Sequence, residues 1–186
     1  MAASYDVHTL STAPVRSREL LEALHTQLGA IPNLAAAMAE SPQLLEGFLR
    51  IRDVLYNGTF TPAEVQVLAL TNAFENGCTY CMALHSTLAL KDGVPAQVVT
   101  SLRSGRTPGE PRLGALSALS RSLVRERGHA RTEELDAFLA AGYTRAQALE
   151  VVLGIAVSLL PNFAHHLTRC PLDPIFHNQR WERPIT

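Results

Sequence analysis

Cysteine, tryptophan and methionine are scarce in this chain: three, one and three among 186 residues, with aromatics at only 6%. Three cysteines make no disulfide framework of the kind that staples small secreted domains. A chain of this length needs none, because it can bury roughly 70% of its unfolded surface. An excess of charge of one sign is also missing. Lys and Arg number 16 against 17 Asp and Glu, a net charge of −1 with the histidines neutral. There is no basic run and no interleaving of aromatic with basic residues, so nucleic acid is not an expected partner. The most apolar window, 148–160, is too short to span a bilayer and is closed by Pro161. No positive region followed by an apolar one opens the chain, so no secretory signal is read. The expectation is a cytoplasmic protein with no membrane partner. Its 47% of hydrophobic residues, against 18% charged, is compatible with a buried subunit interface.

Strand signals are almost absent as well, and what remains is helical. Thr61-Pro62-Ala63-Glu64 is a capping box with proline at the first helical position. Thr107-Pro108-Gly109-Glu110 repeats it, and Ser41-Pro42 and Thr144-Arg145-Ala146-Gln147 are variants. In each, a hydroxyl can accept a bond from a backbone N–H that the helix leaves unpaired. The apolar spacing between these starts is helical: Val67, Leu70 and Phe74 on one segment, and Leu149, Val152, Leu153, Ala156 and Leu160 on another. Asn76-Gly77, Asp92-Gly93 and Ala141-Gly142 read as helix stops. These signals predict an all-α fold with helices near 17–28, 33–38, 42–56, 62–76, 79–92, 95–104, 109–127, 132–141 and 145–169. Pro161 is expected to kink or break the last of them. One domain is expected over 1–186, with a core at about 42–127. An N-terminal arm (1–16) and a proline-bearing tail (171–186) flank it.

The run Cys78-Thr79-Tyr80-Cys81-Met82-Ala83-Leu84-His85 concentrates the chemistry. Cys78 falls at or just before a helix N-terminus, Cys81 lies one turn in, and His85 one turn further. The three therefore share one helical stripe. A free thiol with a pKa near ~8.5 is mostly unreactive at neutral pH. A helix N-terminus favours its anion, a histidine can take its proton, and a second thiol can close a disulfide on an oxidised first one. The helix dipole favours Cys78 as the attacking thiol, whereas the histidine favours Cys81. Spacing leaves that choice open. A zinc half-site is the competing reading, and it would need ligands from His85, His165, His166 or Cys170. Buried structural cysteines are the third. A thioredoxin-type fold is discounted, because a capped helix and not a strand precedes the motif.

The stretch 68–93, with Glu75-Asn76-Gly77-Cys78-Thr79-Tyr80-Cys81 and then His85, resembles the carboxymuconolactone decarboxylase superfamily. Within it, the alkylhydroperoxidase D-like (AhpD-like), peroxidase-related branch is the most similar. Ile31-Pro32-Asn33-Leu34, Ser41-Pro42 and the segment 162–173 resemble the parts that flank the core in that branch. The resemblance implies an all-α, AhpD-like fold with a helical-hairpin core, assembled as a trimer or hexamer. It implies a peroxidase or disulfide oxidoreductase without cofactor or metal, acting on a hydroperoxide or disulfide with electrons from a thiol reductant. It assigns Cys81 as attacking thiolate, Cys78 as resolving thiol and His85 as part of the proton relay. A non-enzymatic redox sensor or scaffold on the same fold is the alternative. The branch usually carries a relay glutamate where this sequence has Gln66, which cannot ionise. Glu64 and Glu75 are the candidate substitutes. Glu64 also reads as the capping partner of Thr61, and Glu75 as a solvated carboxylate. Tyr80 could donate to a bound peroxide or simply pack. Asn162 and His166 are candidates to line the dithiol pocket. Cys170 stands alone and reads as a small apolar residue.

Overall fold

The computed structural model describes residues 5–184. Residues 1–4 and 185–186 of the two expected arms lie outside the described residues. Nine α-helices follow one another among the described residues. They are α1 (Val15–Leu28), α2 (Asn33–Met38), α3 (Pro42–Tyr56), α4 (Pro62–Asn76), α5 (Thr79–Lys91), α6 (Ala96–Arg103), α7 (Pro111–Arg125), α8 (Thr132–Ala140) and α9 (Arg145–Thr168). A short 3-10 helix, Pro174–Gln179, ends the series. No strand occurs among the described residues.

Helix α4 is the centre. Every residue from Glu64 to Phe74 is buried, which is how a helix surrounded on all sides by protein reads. Helices α5, α6, α7 and α9 pack around it. Leu68 and Leu70 are at most 1% exposed, and each such leucine contributes about 1.5–3 kcal/mol of burial free energy. The Thr61 box that starts α4 is closed in both directions, with Glu64 N–H donating to Thr61 Oγ1 at 3.2 Å and Thr61 N–H to Glu64 Oε2 at 2.9 Å. Ser41 and Thr144 cap α3 and α9 as their sequences foretell.

Polar side chains cross this apolar core in one line. Asn72 of α4 donates to Ser158 Oγ of α9 at 3.2 Å and accepts from Ser120 Oγ of α7 at 2.8 Å. One turn on, Asn76 Nδ2 donates to Asn162 Oδ1 of α9 at 2.8 Å. Each buried amide that finds partners here would otherwise carry a desolvation penalty of about 1–3 kcal/mol. Gly154 makes the close crossing possible, since a Cβ there would sit 3.0 Å from Leu68 Cδ1.

Three sequence expectations are corrected. Pro161 does not break α9, which runs unbroken to Thr168 with Pro161 inside it. The missing N–H and the ring clash cost about 3 kcal/mol, but Pro161 is buried in a helix packed on both sides of that point. With the proline absorbed, α9 reaches the length and composition of a membrane span. Its inner face nonetheless carries buried Ser158 and Asn162 bonded to α4, as befits the core helix of a folded chain. Secondly, the apolar stripe of α9 is not the buried one. Leu149 is 74% and Val152 51% exposed, while Val151, Gly154, Val157, Ser158 and Pro161 face inward. Thirdly, Thr107 does not cap α7. Glu110 does, accepting from the Leu113 N–H at 2.6 Å, and Thr107 Oγ1 instead accepts from Arg121.

The C-terminal tail folds back on its own chain. Asp173 accepts from the Asn33 N–H at 3.1 Å and from Tyr80 Oη at 2.5 Å. Arg103 donates to the carbonyls of Gln179 and Arg180, and the Trp181 indole donates to the Arg103 carbonyl at 2.8 Å. Trp181 lies against the Phe74 ring. Gly105 also abuts that ring: its φ is +71° and a Cβ there would sit 2.2 Å from Phe74 Cζ. Gly105→Ala combines backbone strain with overpacking, and should lower stability by about 2–4 kcal/mol. A urea melt checks it; an unchanged midpoint would show that Phe74 has room to give way.

Candidate active site

The site begins where α4 hands over to α5. Gly77 closes α4 in the left-handed region (φ 68°), and the Cys78 N–H reaches back to the Ala73 carbonyl at 2.9 Å. This Schellman-type closure delivers Cys78 as the N-cap of α5. Its sulfur accepts the Cys81 backbone N–H at 3.2 Å, the bond a serine or aspartate usually takes at that position. Both thiols are free and buried. Burial pushes the Cys81 thiol well above its ordinary range, and the adjoining Cys78 sulfur raises it further. One group opposes them. Asn162, whose oxygen is taken by Asn76, favours the Cys81 anion through its amide.

One turn beyond Cys81, His85 Nδ1 meets Gln66 Oε1 at 2.8 Å, and Gln66 Nε2 donates to Asp92 Oδ2 at 3.0 Å. A carboxylate only accepts, so Asp92 fixes which way the amide faces. The amide oxygen then requires the proton of His85 on Nδ1, leaving the Nε2 lone pair free. Burial, with the nearby Arg52 charge as second cause, lowers the His85 pKa to about 4. The imidazole is therefore neutral at neutral pH. A cavity of about 50 Å³ opens beside it, bounded by α3, α4 and α9 and including Arg52, Tyr56, Val157 and Pro161 in its wall.

The other candidates lie elsewhere. Burial alone would raise the Glu64 carboxyl, but the Thr61 N–H, Tyr143 and Arg112 outweigh it and hold it below the usual range. Glu64 bonds Thr61 and pairs with Arg112 at 3.0 Å. Glu75 is not solvated. Its carboxylate is 5% exposed and forked by Arg121 and Arg125, at 2.8 Å each. Neither glutamate reaches His85; the carboxylate at the end of the amide is Asp92. Tyr80 spends its hydroxyl on Asp173, and burial raises its pKa. His166 is exposed against Phe163. Its neighbour His165 turns inward, with Nε2 at 3.2 Å from Thr79 Oγ1 and Nδ1 at 3.7 Å from Cys170 Sγ. Cys170, pushed up to about 11 mainly by burial, lines with His165, Thr79 and Tyr80 a second, larger cleft of about 510 Å³. Among the described residues no three His, Cys, Asp or Glu side chains are grouped to hold a metal ion.

Sequence reasoning missed Arg52 and Tyr56, read Asp92 and Asn76 only as parts of helix stops, and named His165 only as a possible zinc ligand. A signal existed for two of them. Asp92 lies at i+7 from His85, on the same face of α5, and Tyr56 lies at i+4 from Arg52 on α3. Asn76 and His165 depend on tertiary contacts that spacing does not carry.

Comparison with known proteins gives the same frame. Residues 42–109 match the carboxymuconolactone decarboxylase family. No curated protein matches the chain. Among solved structures, an uncharacterized peroxidase-related protein with an AhpD core from Ralstonia eutropha JMP134 superposes with a TM-score of 0.82 at 18% identity, over 95% of each chain. A peroxidase-related protein from Silicibacter sp. TM1040 gives 0.77 at 16%, over 96% of this chain and 94% of that one. The debrominase Bmp8, as a cysteine-to-alanine variant in complex with 2,3,4-tribromopyrrole, gives 0.77 at 19%, over 96% of both. The fold is AhpD-like, as the sequence resemblance implied.

The depressed His85 pKa has a measurable consequence. An unfolded histidine titrates near ~6.5, whereas His85 in the folded chain stays neutral down to about 4. Between these values the unfolded chain binds a proton that the folded chain refuses, so stability falls as pH drops from about 6.5 toward 4. His85→Gln should remove about 2–3 kcal/mol of that loss. Denaturant melts of both proteins at pH 7 and pH 4.5 check it, and equal pH dependence would show that His85 accepts a proton in the folded chain.

Proposed function

From a carboxymuconolactone decarboxylase core on an AhpD-like fold, we propose that this chain is a thiol oxidoreductase that reduces a small hydroperoxide, or a disulfide, at the expense of an external thiol. The observation that carries this is the convergence at the start of α5 of two buried thiols, the Cys78 sulfur accepting the Cys81 N–H, with the Asn162 amide acting on Cys81 and a neutral histidine one turn beyond it. In the proposed cycle Cys81 gives its proton to His85 and attacks the peroxide. An S–O bond forms, the O–O bond breaks and the alcohol leaves with a proton. Asn162 holds the sulfur's charge before attack. Cys78 then attacks the Cys81 sulfenic acid, the S–S bond forms and water departs. The external dithiol reduces the disulfide by exchange, and the Cys81 N–H supports charge returning to the Cys78 sulfur.

A specific feature favours a second reading, a redox sensor with little turnover. Gln66 places an amide between His85 and the Asp92 carboxylate. The buried Cys81 thiol and the neutral His85 rest as an uncharged pair. That arrangement slows thiolate formation. One experiment separates the readings. Cys81→Ser should lower peroxide consumption under excess dithiothreitol by about 100-fold or more. Cys78→Ser should accumulate a sulfenic acid that dimedone traps. Full activity in the Cys81 variant would sink the assignment. One rapid oxidation of the wild type without sustained turnover would favour the sensor.

We also propose a homo-oligomer, the trimer or hexamer that the resemblance implies. It is supported by the outer face of α9, where Leu149, Val152, Phe163 and Leu167 are 51–74% exposed. Apolar surface of this extent usually marks a contact. Light scattering should give a multiple of 20.2 kDa, and Val152→Glu with Phe163→Glu should reduce it to the monomer. A wild-type monomer at micromolar concentration would refute the assembly.

A further inference from the structure

The wall of the small cavity beside His85 holds a cation whose charge is little used. Arg52 enters from α3, with its guanidinium carbon 4.6 Å from the centre of the Tyr56 ring. Its side chain is only 19% exposed. Among the described residues its one ion-pair partner is the adjacent Asp53, through a single 3.4 Å contact to a carboxylate that is itself 62% exposed. A pair of that kind leaves the guanidinium charge largely uncompensated. Around it the cavity is apolar, with Phe48, Leu55, Val65 and Leu68 in the wall, and a charge acts more strongly at such a boundary than in water. No other carboxylate among the described residues stands at ion-pair distance from it: His85 is neutral, and Asp92 is bonded to the Gln66 amide.

We propose that Arg52 makes this cavity selective for small peroxides that carry a negative charge. A planar guanidinium offers paired donors to an oxyanion, and here it stands in the same wall as the imidazole that would take the thiol proton. Size narrows the class further. A cavity of about 50 Å³ has room for roughly three to five water-sized groups at ~10–15 Å³ each, so only compact peroxides fit wholly inside. The chemistry is the cycle given above, on which this inference rests. The anion supplies the O–O bond that Cys81 breaks, and Arg52 holds the charged end.

Peroxymonosulfate serves as the anionic probe, hydrogen peroxide as the neutral one, and nitrate as an unreactive anion. In single-turnover oxidation of the reduced protein, Arg52→Gln should slow peroxymonosulfate about 10- to 100-fold more than hydrogen peroxide. Arg52→Lys should restore part of that ratio. Nitrate should raise the Tm of the wild type and not that of Arg52→Gln, by linkage to the folded state. Equal slowing of the two peroxides, or a nitrate shift that survives in Arg52→Gln, would overturn the proposal. If the wild type reduces neither peroxide faster than free cysteine does, the oxidoreductase reading fails. The anion site then stands or falls on the nitrate shift alone.

Discussion

The pair of polar rungs between α4 and α9 is the constraint on which the rest depends. Asn72 meets Ser158 and Asn76 meets Asn162, each pair one helical turn from the next. Hydrophobic burial alone would tolerate a helix sliding or rotating against its neighbour. A buried amide does not, because a shift of one residue strands donors and acceptors where no water can reach them. These rungs therefore set the register of α9. With the register set, Asn162 faces Cys81, and Val157 and Pro161 wall the cavity beside His85. Gly154 belongs to the same device, since its missing side chain lets the rungs close.

The helices were legible because their ends are chemically marked. Thr61, Ser41 and Thr144 each offer the oxygen that an unpaired N–H requires, and glycines stand where a left-handed residue ends α4. Where two markers competed, the sequence misled. Thr107-Pro108 resembles a helix start, but Glu110-Pro111 lies closer to the apolar run and takes the cap. On α9 the apolar pattern pointed to the wrong face. That helix is apolar nearly all round, and its buried side sets Gly154, Ser158, Asn162 and Ala164 among Val151, Val157 and Pro161. The motif Cys78–Cys81–His85 could be placed on one face from spacing. Its surroundings could not, because Asn162, Gln66 and Asp92 reach it from other turns and other helices.

Electrostatically the site is muted. The thiol is raised, the imidazole is lowered, and the group between the imidazole and Asp92 is a neutral amide. An amide cannot accept a proton from His85 on the way to Asp92. It can hold the ring in one tautomer, and that is the role it has here. Both glutamates the sequence offered in its place are committed to structure. Glu64 anchors the start of α4 to Arg112, and Glu75 ties its end to α7 through Arg121 and Arg125.

The tail adds a consequence in time. The residues that cover the N-terminal end of α5 come late in the chain: Asn162, Asp173 with its bond to Tyr80, and Arg180 with Trp181 in the wall of the larger cleft. A ribosome makes about 5–20 residues per second. Cys78 and Cys81 therefore emerge on the order of ten seconds before their cover has been synthesised. For that interval the N-terminal end of α5 lacks this part of its cover. The cover of the site is completed by segments that lie about 80 to 100 positions downstream of its cysteines.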